Sequence, residues 1–180
     1  MEATMRKRRD IEFEARKLLE NNSVSRPPVP VQDLAAALDI DVRFSAGKDD
    51  VSGALIRSDG SVVIAVNSAQ HENRQRFTIA HEIGHFLLHK GTQVHFDDDF
   101  RVNYRKADTT GMATVDEMEA NWFAAALLMP ENFLRKDWLR LRLENHAALG
   151  AIQSLAGRYK VSPKAMELRL VNLGFVSPVE

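Results

Sequence analysis

A chain of 180 residues is long enough for one domain, or for one domain with a small appendage. With 44% hydrophobic and 27% charged residues it has an ordinary globular make-up, and a net charge of −1 supplies no general attraction to nucleic acid or anionic membrane. Cysteine is absent, which excludes disulfide scaffolds, zinc ribbons and thiol catalysis; any bound metal must use histidine, carboxylate and water.

The N-terminus lacks the apolar core of a signal peptide. No apolar run approaches the roughly 20 residues that span a bilayer, so a soluble, cytoplasmic protein is expected. Neither internal repeats nor long low-complexity segments interrupt the pattern. Glu2 to Glu20 reads as a charged amphipathic helix with Ile11, Ala15, Leu18 and Leu19 on its apolar stripe. Its basic run, Arg6 to Arg9, reads as a solvated face, with nucleic-acid contact as the other reading. Pro27, Pro28 and Pro30 break the chain, and Val31 to Leu38 reads as a short helix.

Three strands follow at Ile40 to Phe44, Val51 to Ser58 and Ser61 to Val66, the last two joined by the turn signal Ser58-Asp59-Gly60-Ser61. Asn67-Ser68 supplies a cap-type residue ahead of the next helix. Gly91 to Ala113 is polar and includes Asp97-Asp98-Asp99; it reads either as a lid or substrate loop or as a plain solvated loop. Helices dominate from there to the end. The expectation is an α+β fold. A small, mostly antiparallel three-stranded sheet packs with one central helix and further helices.

That central helix carries the chemistry. Five of the six histidines fall between His71 and His95, and His81-Glu82-Ile83-Gly84-His85 lies in a proline-free stretch from Arg76 to Leu88 with apolar residues at helical intervals. Residues four apart share one helix face with Cβ atoms about 5–6 Å apart, so His81 and His85 can bind one ion. Glu82 is turned about 100° from His81, which puts its carboxylate within reach of a water at that ion and makes it the general-base candidate. Ile79, Ala80, Ile83, Phe86, Leu87 and Leu88 surround the motif. In such apolar surroundings, imidazoles without a partner would be costly.

A catalytic zinc usually keeps three protein ligands and one open position. His89 continues the spacing of four, but each such step turns the helix a further 40° or so, which carries it off the bisector of the first pair. The stronger source is the helix predicted from Asp116, which Pro130 limits. Glu117, Asn121, Ala124 and Leu128 share one of its faces, and small Ala120 and Ala124 admit a close neighbour. There Glu117 is the leading third ligand and Asn121 suits a group that orients a ligating histidine. Glu119, on a different face, is the alternative. Thr114 to Glu117 also fits a capping box, which would engage Glu117 with the backbone instead. An oxyanion donor is expected, and His95, Tyr104 and Arg105 in the polar segment are its candidates.

Leu149 to Gly174 reads as two helices broken at Val161-Ser162-Pro163, with a helix-turn-helix rhythm of apolar residues. Arg158, Lys160, Lys164 and Arg169 there are positioned to meet phosphate; packing against the core is the competing reading.

The motif Arg74-Gln75-Arg76-Phe77-Thr78-Ile79-Ala80-His81-Glu82-Ile83-Gly84-His85, followed by Glu117-x-x-Ala120-Asn121-x-x-Ala124-Ala125-Ala126-Leu127-Leu128-Met129-Pro130, resembles the ImmA/IrrE family of zinc metallopeptidases. The resemblance covers roughly Val31 to Gly174. It implies a gluzincin-like α+β core over residues 31–145, preceded by an N-terminal helix and proline-rich connector (1–30) and followed by helix-turn-helix-like helices (146–180). It implies His81, His85 and Glu117 as metal ligands and Glu82 as catalytic glutamate. Zn2+ is the implied ion, with Mn2+ as an alternative, and a helix-turn-helix transcriptional repressor is the implied substrate. The chain more resembles the short members encoded beside a repressor, or in mobile or toxin–antitoxin-type loci, than the radiation-response members. The competing reading is a non-proteolytic, metal-containing regulatory module that grips a partner protein or DNA.

Overall fold

The computed structural model describes residues 5–46, 51–58, 60–89, 94–98, 115–144 and 148–177. Its elements in chain order are α1 (Arg8–Asn21), α2 (Val31–Ala37), β1 (Ile40–Ser45), β2 (Val51–Ser58), β3 (Ser61–Asn67), α3 (Glu72–Leu88), β4 (Val94–Asp98), α4 (Val115–Leu128), α5 (Glu131–Leu143), α6 (Ala148–Tyr159) and α7 (Pro163–Asn172). The α+β expectation holds, and none of the described helices is long and apolar enough to cross a membrane.

The sheet has one strand more than expected. Its order is β1-β3-β2-β4, with β1 parallel to β3 and β2 antiparallel to both β3 and β4. The hairpin turn falls where the Asp-Gly signal put it. Ser58 pairs with Ser61, and Gly60 takes φ +82°, a left-handed conformation that costs glycine little. The added strand, β4, lies inside the segment read as a polar loop. Backbone hydrogen bonding to β2 makes it a strand, and a ladder of that kind does not depend on an apolar side-chain pattern.

Helix α3 crosses the sheet at a point of close approach. A Cβ at Gly53 on β2 would lie 2.7 Å from the carbonyl oxygen of Ala65 on β3 and would collide with the Thr78 methyl on α3. Only glycine lets β2 pass there. The α3 N-cap is His71, whose Nδ1 accepts from the Asn73 N–H at 3.1 Å. Asn67, the expected cap, instead accepts from the Ala69 N–H at 3.0 Å and turns the chain out of β3. At the far end, Arg57 Nη2 on β2 donates to the carbonyls of His85 and His89, both at 3.1 Å, placing a cation at the negative helix terminus.

Helix α4 packs along α3, and α1 packs along α4. The stripe of α1 is the expected one, with Ile11, Ala15, Leu18 and Leu19 buried in the same core as Ile79, Ile83, Phe123, Leu127, Leu155 and Leu170. The basic run before and within α1 is exposed throughout, as a solvated face requires, and two of its members also engage neighbouring elements. Arg6 is bound to Glu119 and the Leu88 carbonyl, and Arg8 lies 4.6 Å above the Trp122 ring.

The two-helix tail forms as α6 and α7, with Ser162 Oγ capping α7 by accepting from the Ala165 N–H at 3.1 Å. Of the four groups read as facing phosphate, one is turned inward, and two stand in ion pairs at the surface. Arg169 is buried, grips both carboxylate oxygens of Glu12 on α1 and donates to the Met129 carbonyl at 3.1 Å. Arg158 donates to Asp137 at 2.8 Å and Lys164 to Glu167 at 3.0 Å.

Candidate metal centre

His81 and His85 sit one turn apart on α3, where the absence of proline and the apolar flanks keep the helix regular and buried. Their exposures are 2% and 3%, and their Nε2 atoms face each other at 2.9 Å. Glu117, in the first turn of α4, reaches them from the opposite helix. Its Oε2 lies 3.4 Å from His81 Nε2 and its Oε1 lies 3.4 Å from His85 Nε2. Among the described residues these three offer ligand atoms that all fall within 4.8 Å of one another.

The approach of α4 depends on small residues. A Cβ at Gly84 would lie 3.2 Å from Ala120 Cα and from Phe123 Cβ and Cδ1. Glycine at 84 and alanine at 120 therefore set the helix separation across which Glu117 meets the histidines.

The donor set suits a small divalent cation. His81 Nδ1 lies 3.0 Å from Asn121 Oδ1; when it donates there, the lone pair of Nε2 points at the cluster. Two imidazole nitrogens and a carboxylate then converge on one point, a donor set that a divalent cation satisfies. Ligands at about 2.0–2.1 Å from a tetrahedral zinc stand about 3.3 Å apart, close to the two 3.4 Å separations found here and somewhat beyond the 2.9 Å one. Glu82 is fully buried, one helical step from His81.

The remaining predicted groups are placed differently. Glu119 is buried, but its carboxylate is taken by Arg6, through the backbone N–H at 2.5 Å and the guanidinium, and by His89 Nε2 at 3.2 Å. Burial raises the Glu119 carboxyl, yet these hydrogen bonds and the charge of Arg6 together outweigh it and hold the group below the ordinary carboxylate range. Asn121 stands where an orienting group was expected. Of His95 the backbone is placed, paired with Leu55 in β4, while Tyr104 and Arg105 lie outside the described residues. Thr114, the capping partner considered for Glu117, also lies outside them.

Two contacts went unforeseen. His89 Nδ1 lies 3.0 Å from His85 Nδ1, and Arg6 arrives from 113 residues away to hold Glu119. The first left a trace in the sequence, the repeated spacing of four. A contact at the distance of the second leaves none.

A family model described as the IrrE N-terminal-like domain matches residues 35–171. The radiation response metalloprotease IrrE of Deinococcus radiodurans is 39% identical over 102 residues, covering 56% of this chain and 28% of the relative. A solved Mycobacterium tuberculosis transcriptional regulator matches with a TM-score of 0.61 at 16% identity, over 91% of this chain and 46% of that one; it supports the fold. The chain thus spans less than half the length of either.

Proposed function

The chain belongs to the IrrE N-terminal-like domain family, Peptidase_M78, and from that premise we propose that it is a zinc-dependent endopeptidase whose substrate is a helix-turn-helix transcriptional repressor. The carrying observation is the convergence of His81, His85 and Glu117, with Glu82 buried one residue along the same helix from His81. The motif resemblance supports the choice of substrate, and cleavage would relieve repression in a stress, mobile-element or toxin–antitoxin-type circuit.

In this reading His81, His85 and Glu117 hold the ion. Zinc, when bound, supplies a Lewis acid that acidifies water and polarises a carbonyl. The rest is the work of the side chains. Glu82 accepts a proton from the attacking water at a carboxylate oxygen and returns it to the leaving amine nitrogen. Asn121 holds the His81 ring with Nε2 turned inward.

The test pairs the wild type and Glu82→Gln with helix-turn-helix repressors purified from the same organism, each with zinc or manganese. Cleavage by the wild type and none by the variant is expected. Equal cleavage by both would overturn the mechanism.

A further inference from the structure

We infer that His89 is a positioning residue for His85, anchored in turn by Glu119 and by Arg6 at the start of the chain. The inference rests on the reading of His81, His85 and Glu117 as a metal site. It extends that reading to a residue one turn beyond the motif.

The proton assignments follow from one another. A ligating His85 offers its Nε2 lone pair inward, so its other nitrogen, Nδ1, carries the hydrogen and donates. The atom facing it at 3.0 Å is His89 Nδ1, which must therefore be the acceptor. A neutral imidazole that accepts at Nδ1 carries its hydrogen on Nε2. His89 Nε2 faces Glu119 Oε2 at 3.2 Å, and a carboxylate there can only accept. Glu119 is held ionised by the backbone N–H and guanidinium of Arg6, which also donates to the Leu88 carbonyl at 2.5 Å. The hydrogens between His85, His89 and Glu119 thus each have one direction, away from the metal site, and Arg6 closes the chain by donating to the same carboxylate from its outer side.

Both nitrogens of His89 are engaged in this chain, so the residue serves the site through His85 and not as a further ligand. A carboxylate–histidine partner of this kind fixes the ligand ring's rotation and raises its basicity. The buried ring, 8% exposed, has no freedom to leave the arrangement. The segment before α1 becomes part of the site's support, since Arg6 supplies the cation at its outer end.

The experiment measures zinc affinity of the full chain by competition with a chromogenic chelator, together with the visible absorption of the cobalt-loaded protein. His89→Leu and His89→Gln have similar volumes, but only glutamine can accept from His85 Nδ1 and donate to Glu119. His89→Leu is expected to weaken zinc binding by about 10- to 100-fold and to change the cobalt spectrum. His89→Gln should recover most of both, and a packing role would move the two variants alike. Arg6→Ala, at a side chain 44% exposed and so tolerant of truncation, should give a smaller loss in the same direction. Wild-type affinity and spectrum in His89→Leu, or equal loss in the leucine and glutamine variants, would overturn the inference. Should His89→Leu not fold, unchanged affinity in Arg6→Ala overturns it instead. A wild type that binds zinc and cleaves no repressor removes the peptidase reading and leaves this one standing; a wild type that binds neither metal removes both.

Discussion

Gly84→Ala probes the helix contact on which the candidate metal centre depends. The added methyl would sit 3.2 Å from three carbons of α4, namely Ala120 Cα, Phe123 Cβ and Phe123 Cδ1. Carbon atoms pack best at about 3.5–4.0 Å, so each contact is short by about 0.3–0.8 Å. Two of the three atoms belong to or adjoin the α4 backbone, and Ala120 and Phe123 are both 0% exposed, so no flexible tip can swing aside. Helix α4 must back away from α3. Overpacking of this kind costs about 1–3 kcal/mol. Replacing glycine by alanine in a helix interior returns about 1 kcal/mol. The net expectation is a loss of about 0–2 kcal/mol, or a Tm lower by several degrees at this chain length. The functional consequence is more specific. Glu117 rides on α4 one turn before Ala120, so its 3.4 Å separations from His81 and His85 lengthen and zinc affinity falls. Urea unfolding of the metal-free protein gives the first quantity and chelator competition the second. A Gly84→Ala protein that gains the full helix-propensity benefit and binds zinc as the wild type does would refute the reasoning.

Zinc at a hundredfold excess over Kd should stabilise the wild type by about 2.7 kcal/mol in a thermal melt; Glu117→Gln should lose most of that shift and Glu82→Gln should keep it, and equal shifts in the two would argue against Glu117 as a ligand. Arg169→Leu should destabilise by about 3 kcal/mol in urea, because it leaves the Met129 carbonyl without its buried donor and Glu12 without its partner; an unchanged midpoint would show the ion pair to be idle. Burial raises the Tyr159 phenol, and its hydrogen bond to Asp137 at 2.9 Å raises it further. A group whose folded pKa lies above its unfolded value stabilises fully below the unfolded value, about 10, and that stability is lost as pH rises beyond it. The wild type should therefore lose stability above pH ~10 more steeply than Tyr159→Phe, measured by urea midpoints across that range; parallel curves would contradict the assignment. Gly53→Ala should cost about 3 kcal/mol or more, since its methyl meets the Ala65 carbonyl oxygen at 2.7 Å, and a soluble variant of wild-type midpoint would refute the crossing described for β2 and α3.

The helix bearing His81, Glu82 and His85 was legible because its information is local. A period of 3.6 residues relates the three side chains whatever the rest of the chain does. The hairpin at Gly60 and the stripe of α1 were legible for the same reason. Strand β4 was not, because its partner is β2, and its two aspartates conceal a ladder that the backbone makes.

The sequence by itself determined the two histidines on one face, the carboxylate beside them, and a second helix offering Glu117 and Glu119. It also determined, through Ala120 and Ala124, that another helix could approach that face closely. Which carboxylate faces the histidines was decided by tertiary structure. Residues two apart on a helix point about 160° from one another, so a single rotation of α4 sends Glu117 toward His81 and His85 and Glu119 toward His89 and Arg6. The same packing turned Arg169 inward to Glu12 and brought Arg6 to Glu119. Those pairings join residues more than a hundred positions apart, where no periodicity relates one side chain to another and only the folded core sets the distance.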